Sequence, residues 1–371
     1  TYYTFVPEKL TAPASLLLLL HGSGRDGMSQ IDEWKMLAEK EGIILAAPDH
    51  AAGRLLLHRG AALGLGVKAL DLQNPFQIRA WLAGLSDALL HVHAGIGWEG
   101  HDLVRFGKAA GLAVLRTEHL PYLLTDPVQQ AAYRAMLLST DGRIAVSETV
   151  HASFRDKGGS RLTIIRNGVA AHPASGAGED TRHTLGLRDG DKMLLTVARL
   201  SEQKGHSLLV EAAPAVLERF PNTRFVLVGT GPEEARLAEQ ILQSGLEENF
   251  LFLGQRDDVP DLLAAADLFV LPSLFEGLPL ALLEAVSAGL PAVVTTAGGS
   301  VEVLGSDHPF LAETGSAPGL AEAIVAALGD PERAKASAEA AFRRFTDRFS
   351  AARMAAETAA FYQSILQRRG A

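Results

Sequence analysis

Short apolar runs alternate with amphipathic segments along the first half of the chain, a pattern typical of a parallel α/β sheet. Gln30–Lys40, for example, places Ile31, Trp34, Leu37 and Ala38 on one face of a predicted helix. The apolar runs between such segments predict strands at Leu16–Leu20, Ile43–Ala47, Val67–Leu70, Leu89–His93, Ala113–Thr117, Arg143–Val146 and Leu162–Arg166.

The same alternation begins again after residues 167–191, which are rich in Gly, Ala and Pro and contain no long apolar run. We therefore expect two domains, residues 1–172 and 173–371. A chain of 371 residues with 47% hydrophobic content can bury two cores. The second domain is predicted to contain strands at Leu194–Ala198, Arg224–Val228, Phe250–Leu253, Phe269–Pro272 and Ala292–Thr296.

The stretch Phe269–Ala297 reads as a strand, a loop, a helix with Pro279 as its first residue, and a second strand. The start of a helix has unpaired N–H groups and partial positive charge, and it can hold a diphosphate. Glu276 lies just before this helix and Glu284 in its second turn, roughly 10 Å away. This arrangement suits a nucleotide-sugar, although two acids beside a surface helix can equally be solvated.

Two further strand ends carry groups that suit phosphate binding. Arg199 and Lys204 follow the first strand of the second domain, and Gly229 and Gly231 follow the next. In a parallel sheet such loops meet at the carboxyl edge. Two cations there can bind phosphates with charge-assisted hydrogen bonds of about 1.5–3 kcal/mol each. The convergence of cations, glycines and carboxylates predicts a site for a nucleoside diphosphate group.

The glycine-rich turn HGSGRDG in the first half supports three interpretations. Gly22, Gly24 and Gly27, with Asp49 closing the next strand, match a dinucleotide-binding fingerprint, which predicts an NAD-type oxidoreductase. Residues 1–50 as a whole resemble the start of an α/β-hydrolase esterase, but the sequence contains no G-x-S-x-G nucleophile motif. In the third interpretation, the turn places backbone N–H groups against a diphosphate.

Histidines follow two predicted strands of the first half. His91 and His93 share one face of a strand, which permits metal binding, but neither His101 nor any other residue supplies a third ligand at suitable spacing. Histidines at this edge more often line a pocket. His119 follows the next strand at the same edge and is a candidate pocket residue.

Composition excludes several classes of protein. The formal net charge of −9 combines +1 in residues 1–171 with −10 in the remainder, and neither half is basic enough for a nucleic-acid binder. The absence of cysteine excludes disulfides and thiolate chemistry. The apolar run Leu16–Leu20 is too short to span a bilayer. We expect a cytoplasmic protein whose near-neutral first half makes at most weak peripheral contact with the inner face of the membrane.

An ordered set of motifs resembles the retaining glycosyltransferases of the GT-B fold, family 4, also called glycosyl transferases group 1. In the second half these are VARLSEQKG, VGTGPEE, FLGQRDD and FEGLPLALLEAVSAGLP followed by GGSVE; RTEHLPYLL and RNGV are similar in the first half. The resemblance covers roughly residues 88–369. It implies two Rossmann-like parallel-sheet domains facing across a cleft, with the helices from Pro331 onward crossing back to the first domain.

The resemblance also implies roles for individual residues. Arg199 and Lys204 would bind the donor diphosphate, which the turn at Gly22 and Gly24 would face from the other domain. The remaining donor side would consist of Glu284 at the ribose, Arg256 and Asp258 near the base, and Glu276, Gly277 and Leu278 at the transferred sugar. His119 would lie beside the reacting carbon, so His119 and Glu276 are the predicted catalytic residues.

The function implied by the resemblance is transfer of a hexose from a nucleotide diphosphate sugar to an acceptor hydroxyl in polysaccharide or glycan biosynthesis. The acceptor would be a glycan, a lipid-linked glycan or a small molecule, and no cofactor, metal or nucleic acid is implied. Two alternatives stay open: the NAD-type oxidoreductase, and a non-catalytic nucleotide-binding protein with a degraded acceptor domain. The hydrolase-like residues 1–50 motivate the second, as does Ala170 in a position where the family commonly has an acid.

Overall fold

The chain forms two α/β units, each built around its own β-sheet. The computed structural model describes residues 2–4, 16–19, 43–48, 68–70, 74–85, 88–95, 100–171 and 178–370, with the first four segments described as backbone only. One unit contains Thr1–Val169 together with Ala351–Ala371, and the other contains Ala170–Ser350. The predicted strands are found with ends that differ by at most two residues, whereas the predicted helix Gln30–Lys40 lies outside the described residues.

The strands of the first unit are β1 (Tyr2–Thr4), β2 (Leu16–Leu19), β3 (Ile43–Pro48), β4 (Lys68–Leu70), β5 (Leu89–Ala94), β6 (Ala113–Glu118), β7 (Gly142–Ala145) and β8 (Leu162–Ile164). Their order across the sheet is β4-β1-β3-β2-β5-β6-β7-β8. The predicted parallel pairing is confirmed for the six neighbouring strands β3, β2, β5, β6, β7 and β8. β1 is an addition to the prediction: it runs antiparallel to both β3 and β4.

The described helices of the first unit are α1 (Pro75–Ala83), α2 (His101–Ala109), α3 (Pro127–Ser139), α4 (Glu148–Ser153) and a C-terminal helix, Ala351–Gly370. Three of them begin at a capping side chain: Asn74, Asp126 and Ser147 each accept a hydrogen bond from a backbone N–H three residues later. Every residue of β5 and β6 is buried, as expected for central strands covered on both faces.

The strands of the second unit are β9 (Lys192–Val197), β10 (Thr223–Val228), β11 (Phe250–Phe252), β12 (Leu268–Leu271), β13 (Ala292–Thr295) and β14 (Leu311–Ala312). They are all parallel, in the order β11-β10-β9-β12-β13-β14. β10 and β11 follow on one side of β9, whereas β12, β13 and β14 follow on its other side. The strand order therefore reverses between β9 and β12. Open α/β sheets bind their ligands at such a reversal of strand order.

The helices of the second unit are α5 (Gly178–Thr184), α6 (His206–Arg219), α7 (Glu234–Gln243), α8 (Val259–Ala265), α9 (Leu280–Ser287), α10 (Gly299–Leu304), α11 (Ala317–Gly329) and α12 (Pro331–Arg348). One expectation about α9 is corrected. Pro279 is not its first residue but its N-cap, with extended backbone angles of φ −72° and ψ 117°. An N-cap residue is still non-helical, and its own N–H is not needed by the helix, so proline is tolerated there.

None of the helices in the described ranges combines the length and the apolar character needed to cross a bilayer.

Candidate functional site

Two loops meet at the reversal of strand order in the second unit. One loop follows β9 and contains a 3-10 turn, Glu202–Lys204; the other follows β12 and leads into α9. The N–H of Leu274 donates to the carbonyl of Gln203 at 2.8 Å, and the Gln203 side-chain amide donates to the carbonyl of Phe275 at 3.0 Å. These reciprocal bonds fix the first loop against the second, as a preorganised site requires.

A buried ion pair joins the same two loops. Nζ of Lys204 donates to Oε1 of Glu276 at 2.7 Å, and the hydroxyl of Ser273 donates to that same oxygen at 2.7 Å. The two charged side chains are 14% and 4% exposed. Carboxylates are buried in a charged state only when they are paired and hydrogen-bonded. The structure thus brings into contact two residues that the resemblance assigned to different parts of the ligand.

The predicted glycines serve the packing between loops. Gly229 has φ +135°, and a Cβ atom there would overlap the carbonyl oxygen of Ala198. A Cβ atom on Gly231 would overlap the carbonyl oxygen of Leu200, whose own N–H donates to Thr230 at 3.0 Å. The two loops therefore touch backbone to backbone, which only glycine allows. This contact fixes the end of β10 against the loop that carries Arg199 and Lys204.

The start of α9 is enclosed in the same way. Gly277 and Leu278 are buried, and a Cβ atom on Gly299, the first residue of α10, would overlap the carbonyl oxygen of Gly277. Glu284 lies in the second turn of α9 as predicted, and its side chain is half-buried. The two carboxylates of the sequence motif thus differ in setting: Glu276 is tightly paired in the loop, and Glu284 lies on the helix.

Arg256 and Asp258 pair with each other beyond β11, the edge strand of the sheet. The Arg256 guanidinium donates from Nε to one carboxylate oxygen of Asp258 at 2.8 Å and from a terminal nitrogen to the other at 2.5 Å. This two-pronged hydrogen bond raises the pKa of Arg256. Because β10 and β11 separate this pair from β9, the pair lies to one side of the loops that carry Lys204 and Glu276.

A cluster of histidines lies at the carboxyl ends of β5 and β6 in the first unit. His93 Nδ1 and His119 Nε2 are hydrogen-bonded at 2.8 Å. His91 bonds the Tyr362 hydroxyl through Nδ1 at 2.7 Å and the Thr117 hydroxyl through Nε2 at 2.6 Å. The rings of His91 and His93 lie 4.1 Å apart, as expected for alternate residues on one strand face.

Burial keeps the rings of His91 and His93 neutral. Burial lowers the pKa of both His91 and His93 well below 6.5, and neighbouring histidines lower it further. Both ring nitrogens of His91 are already hydrogen-bonded, and His101 stacks instead on Tyr133 at 5.1 Å. Across the described ranges, no group of three or more His, Asp or Glu side chains is arranged to hold a metal ion.

Sequence reasoning missed three residues that form hydrogen bonds within the two candidate regions. Ser273 and Gln203 are polar residues in the loops after buried strands, and that position was the available signal. Tyr362 carried no signal, because it lies 271 positions from His91. The predicted Gly22 and Gly24, together with the Gly22–Gly27 fingerprint of the NAD-type alternative, lie outside the described residues.

Comparison with known proteins places the second unit in a family. Residues 178–344 match the family model described as glycosyl transferases group 1, and this segment contains all of the predicted donor-side residues from Arg199 to Glu284. This part of the chain belongs to the glycosyl transferases of group 1. The resemblance seen in the sequence motifs is thereby confirmed.

Curated relatives of the chain include two bacterial enzymes. The chain is 38% identical over 146 residues to an Escherichia coli UDP-Gal:alpha-D-GlcNAc-diphosphoundecaprenol alpha-1,3-galactosyltransferase, an alignment that covers 38% of each protein. It is 30% identical over 196 residues to the Rhizobium meliloti lipopolysaccharide core biosynthesis mannosyltransferase LpsB, covering 51% of this chain and 56% of that protein. The alignments thus cover 38% of the first relative's length and 56% of the second's.

Several solved structures match nearly the whole chain. Anabaena Alr3699/HepE in complex with UDP-glucose superposes with a TM-score of 0.80 and 22% identity, covering 94% of this chain and 99% of that one. Sucrose-phosphate synthase from Thermosynechococcus elongatus gives 0.76 and 19%, covering 96% and 100%. The GT-B fold predicted from the motifs is therefore confirmed.

Proposed function

We propose that this chain is a retaining, metal-independent glycosyltransferase that moves a hexose from a nucleotide diphosphate sugar to an acceptor hydroxyl. The observation that carries the proposal is the buried Lys204–Glu276 pair, which lies at the reversal of strand order in a group 1 glycosyltransferase domain. A cation and a carboxylate held at this place suit a ligand that joins a diphosphate to a polyhydroxylated sugar.

The donor side must stabilise a departing diphosphate. We assign this role to Arg199, Lys204 and the N–H groups at the start of α9, whose positive charge is already in place before the reaction. Preorganised donors of this kind can take the part that a divalent metal plays in other transferases. Glu284 is assigned to the ribose hydroxyls, and Arg256 and Asp258 are assigned to the neighbourhood of the base.

The sugar side is assigned to Glu276 with the backbone of Gly277 and Leu278. Hydrogen bonds from Lys204 and Ser273 hold the Glu276 carboxylate in one orientation, so that it can accept hydrogen bonds from sugar hydroxyls without reorganising. His119 of the first unit is assigned a place beside the reacting carbon.

Retention of configuration is proposed to follow attack on the same face. The bond from the anomeric carbon to the phosphate oxygen breaks with its electron pair, the acceptor oxygen bonds to that carbon, and the acceptor proton passes to the departing phosphate oxygen. A covalent intermediate would instead need a carboxylate nucleophile beneath the anomeric carbon. Glu276, held by Lys204 and Ser273, is assigned to sugar hydroxyls rather than to that role.

The relatives suggest which donors and acceptors to test. The E. coli protein is named for UDP-Gal and a diphosphoundecaprenol-linked acceptor, and a Corynebacterium glutamicum relative is named as GDP-mannose-dependent. We propose a UDP- or GDP-hexose as donor and a glycan, a lipid-linked glycan or a small molecule as acceptor, in glycan biosynthesis. A lipid-linked acceptor would require weak contact with the inner face of the membrane.

Thermal unfolding with nucleotides tests the donor site. UDP, GDP, ADP and NAD are each added with magnesium or with EDTA. A ligand at 100 times its Kd adds about 2.7 kcal/mol to the free energy of unfolding. We expect a Tm shift with one nucleoside diphosphate that EDTA does not change. Arg199→Ala should weaken donor binding by about tenfold or more, and Arg199→Lys should retain part of it. A shift with NAD alone would overturn the proposal.

Product analysis tests the chemistry. UDP-glucose, UDP-galactose, UDP-N-acetylglucosamine and GDP-mannose are incubated with the protein and candidate acceptors in EDTA, and proton NMR gives the anomeric configuration of the first product formed. We expect an α-linked product from an α-linked donor. A β-linked first product would exclude retention, and turnover that appears only after a divalent cation is restored would exclude metal independence.

A further inference from the structure

His93 contributes one described hydrogen bond, and its partner is His119. The two rings are joined from Nδ1 of His93 to Nε2 of His119 at 2.8 Å and are stacked with centroids 5.1 Å apart. We propose that His93 is a positioning residue that holds the His119 imidazole in one orientation and one tautomer for sugar transfer. This inference rests on the proposed function, because it assigns to His93 the support of a residue placed beside the reacting carbon.

The ring of His93 is itself held rigidly. It lies on β5 at 5% exposure, packed against the ring of His91 with centroids 4.1 Å apart. His119 directly follows β6, and its backbone N–H donates to the carbonyl of Ala94 at 3.0 Å. Both the backbone and the ring of His119 are therefore tied to β5, whereas its side chain is only half-buried. The buried ring of His93 thus supports the half-buried ring of His119.

The second nitrogen of His93 argues against a purely structural role. Among the described residues, the buried Nε2 of His93 has no hydrogen-bond partner. A buried polar atom without a partner costs free energy, and an apolar side chain of similar shape would avoid that cost. A histidine at this position therefore destabilises the core slightly while it provides a bond to His119. His91 shows the contrast, because both of its nitrogens are bonded within the core.

The shared hydrogen bond couples the protonation of the two rings. A neutral imidazole has one N–H donor and one acceptor nitrogen, and burial keeps His93 neutral by lowering its pKa. When Nδ1 of His93 accepts, Nε2 of His119 must carry a proton; when Nδ1 donates, Nε2 of His119 must be bare. The tautomer of His119 is therefore set jointly with that of His93, and whether the remaining nitrogen of His119 donates or accepts follows from the state of Nδ1 of His93.

Steady-state kinetics of four proteins test this assignment. His93→Phe keeps a ring and removes Nδ1, and His93→Asn places an amide atom near the Nδ1 position. Tyr362→Phe is the matched control, because it deletes a buried hydroxyl from the same cluster without touching the His93–His119 bond. The assay follows donor turnover with the UDP- or GDP-hexose that the wild type uses. His93→Leu replaces His93→Phe if the larger ring fails to fold.

Positioning predicts a separation of effects that a structural role does not. We expect His93→Phe to lower kcat on the order of 10- to 100-fold, with donor KM and UDP or GDP affinity unchanged. Its Tm should be equal to that of the wild type or higher. His93→Asn should recover most of kcat, and Tyr362→Phe should lower Tm with kcat unchanged. Wild-type kcat in His93→Phe would overturn the inference, as would a loss of kcat that tracks Tm across all the variants.

NMR of histidine-labelled protein gives a readout that does not need turnover. In long-range proton–nitrogen spectra, the wild type should show His119 as a single tautomer, and His93→Phe should move it toward a mixture while Tyr362→Phe does not. An unchanged His119 spectrum in His93→Phe would contradict the inference. If the wild type turns over no donor, the proposed function fails while the spectra still decide whether His93 sets the tautomer.

Discussion

Lys204 and Glu276 are 72 positions apart in the chain, and Nζ of the first lies 2.7 Å from Oε1 of the second. The pair joins the loop after β9 to the loop after β12 at the point where the sheet reverses its strand order. Both side chains are largely shielded from water. Under the proposed function, stability and ligand binding depend on the same two charges, and each can be measured separately.

Removing one member of this pair should affect both properties. We expect Glu276→Ala to abolish sugar transfer and to lower the free energy of unfolding by about 3 kcal/mol, because the largely buried Lys204 ammonium loses the Glu276 carboxylate. Urea unfolding and donor turnover measure the two effects. The double variant Lys204→Ala/Glu276→Ala should be less destabilised than the sum of the two single variants. Strict additivity would show that the two charges are not coupled.

The backbone contact at Gly229 predicts a strong effect from adding a single methyl group. Gly229→Ala should lower the free energy of unfolding by about 3 kcal/mol, from left-handed backbone strain together with overlap at the Ala198 carbonyl. It should also weaken nucleotide binding, because the loops after β9 and β10 must separate. Gly245→Ala is the control: Gly245 has φ +65° but open space around it, so only about 1 kcal/mol of strain is expected. Equal losses in urea unfolding would contradict the packing argument.

A second ion pair, in the first unit, should matter for stability. Nε of Arg116 donates to Glu118 at 2.9 Å, and both side chains are almost completely buried. Arg116→Met should lower the free energy of unfolding by about 4 kcal/mol, because the buried Glu118 carboxylate loses its cation and keeps the hydrogen bond from the Tyr133 hydroxyl.

The matched control is the exposed pair of Arg105 and Asp102, whose side chains are 67% and 74% exposed. Arg105→Met should change the free energy of unfolding by less than about 0.5 kcal/mol, because water screens the charges. Chemical denaturation of the two variants under identical conditions compares the pairs. Similar losses in both would show that burial does not determine the strength of these interactions.

The pH dependence of the free energy of unfolding should reflect the protonation of His206. This side chain is 2% exposed, and burial lowers its pKa to about 4, with a further contribution from Lys204. Between the unfolded value of about 6.5 and pH 4 the unfolded chain binds a proton that the native state does not. The free energy of unfolding is therefore intact above pH 6.5, and about 3 kcal/mol of it is lost as the pH falls to 4.

His206→Leu tests this directly. In the described part of the chain neither ring nitrogen of His206 has a hydrogen-bond partner, so the substitution removes no bond. We expect the variant to be as stable as the wild type at pH 7.5 and more stable at pH 4.5. Parallel profiles for wild type and His206→Leu would show that His206 does not titrate in this range.

The hydrophobic pattern predicted most of the described strands and the motif residues between them. Buried strands of an α/β sheet are continuous apolar runs, and their loops begin where the runs stop, so Arg199, Lys204, Gly229 and Glu276 could be placed at strand ends without coordinates. β1 was not predicted because a three-residue strand leaves no apolar run to detect. The N-cap position of Pro279 depends on a ψ angle that proline's ring does not fix.

By itself, then, the sequence determined the α/β class, the order of elements and the edge of the sheet that carries the candidate chemistry. These follow from local periodicity and from the rule that parallel strands end on one side. Only the tertiary structure decided that Lys204 pairs with Glu276, that His93 bonds His119 and that Tyr362 reaches His91. Such contacts depend on strand order and on the packing of segments up to 271 residues apart, which local patterns do not record.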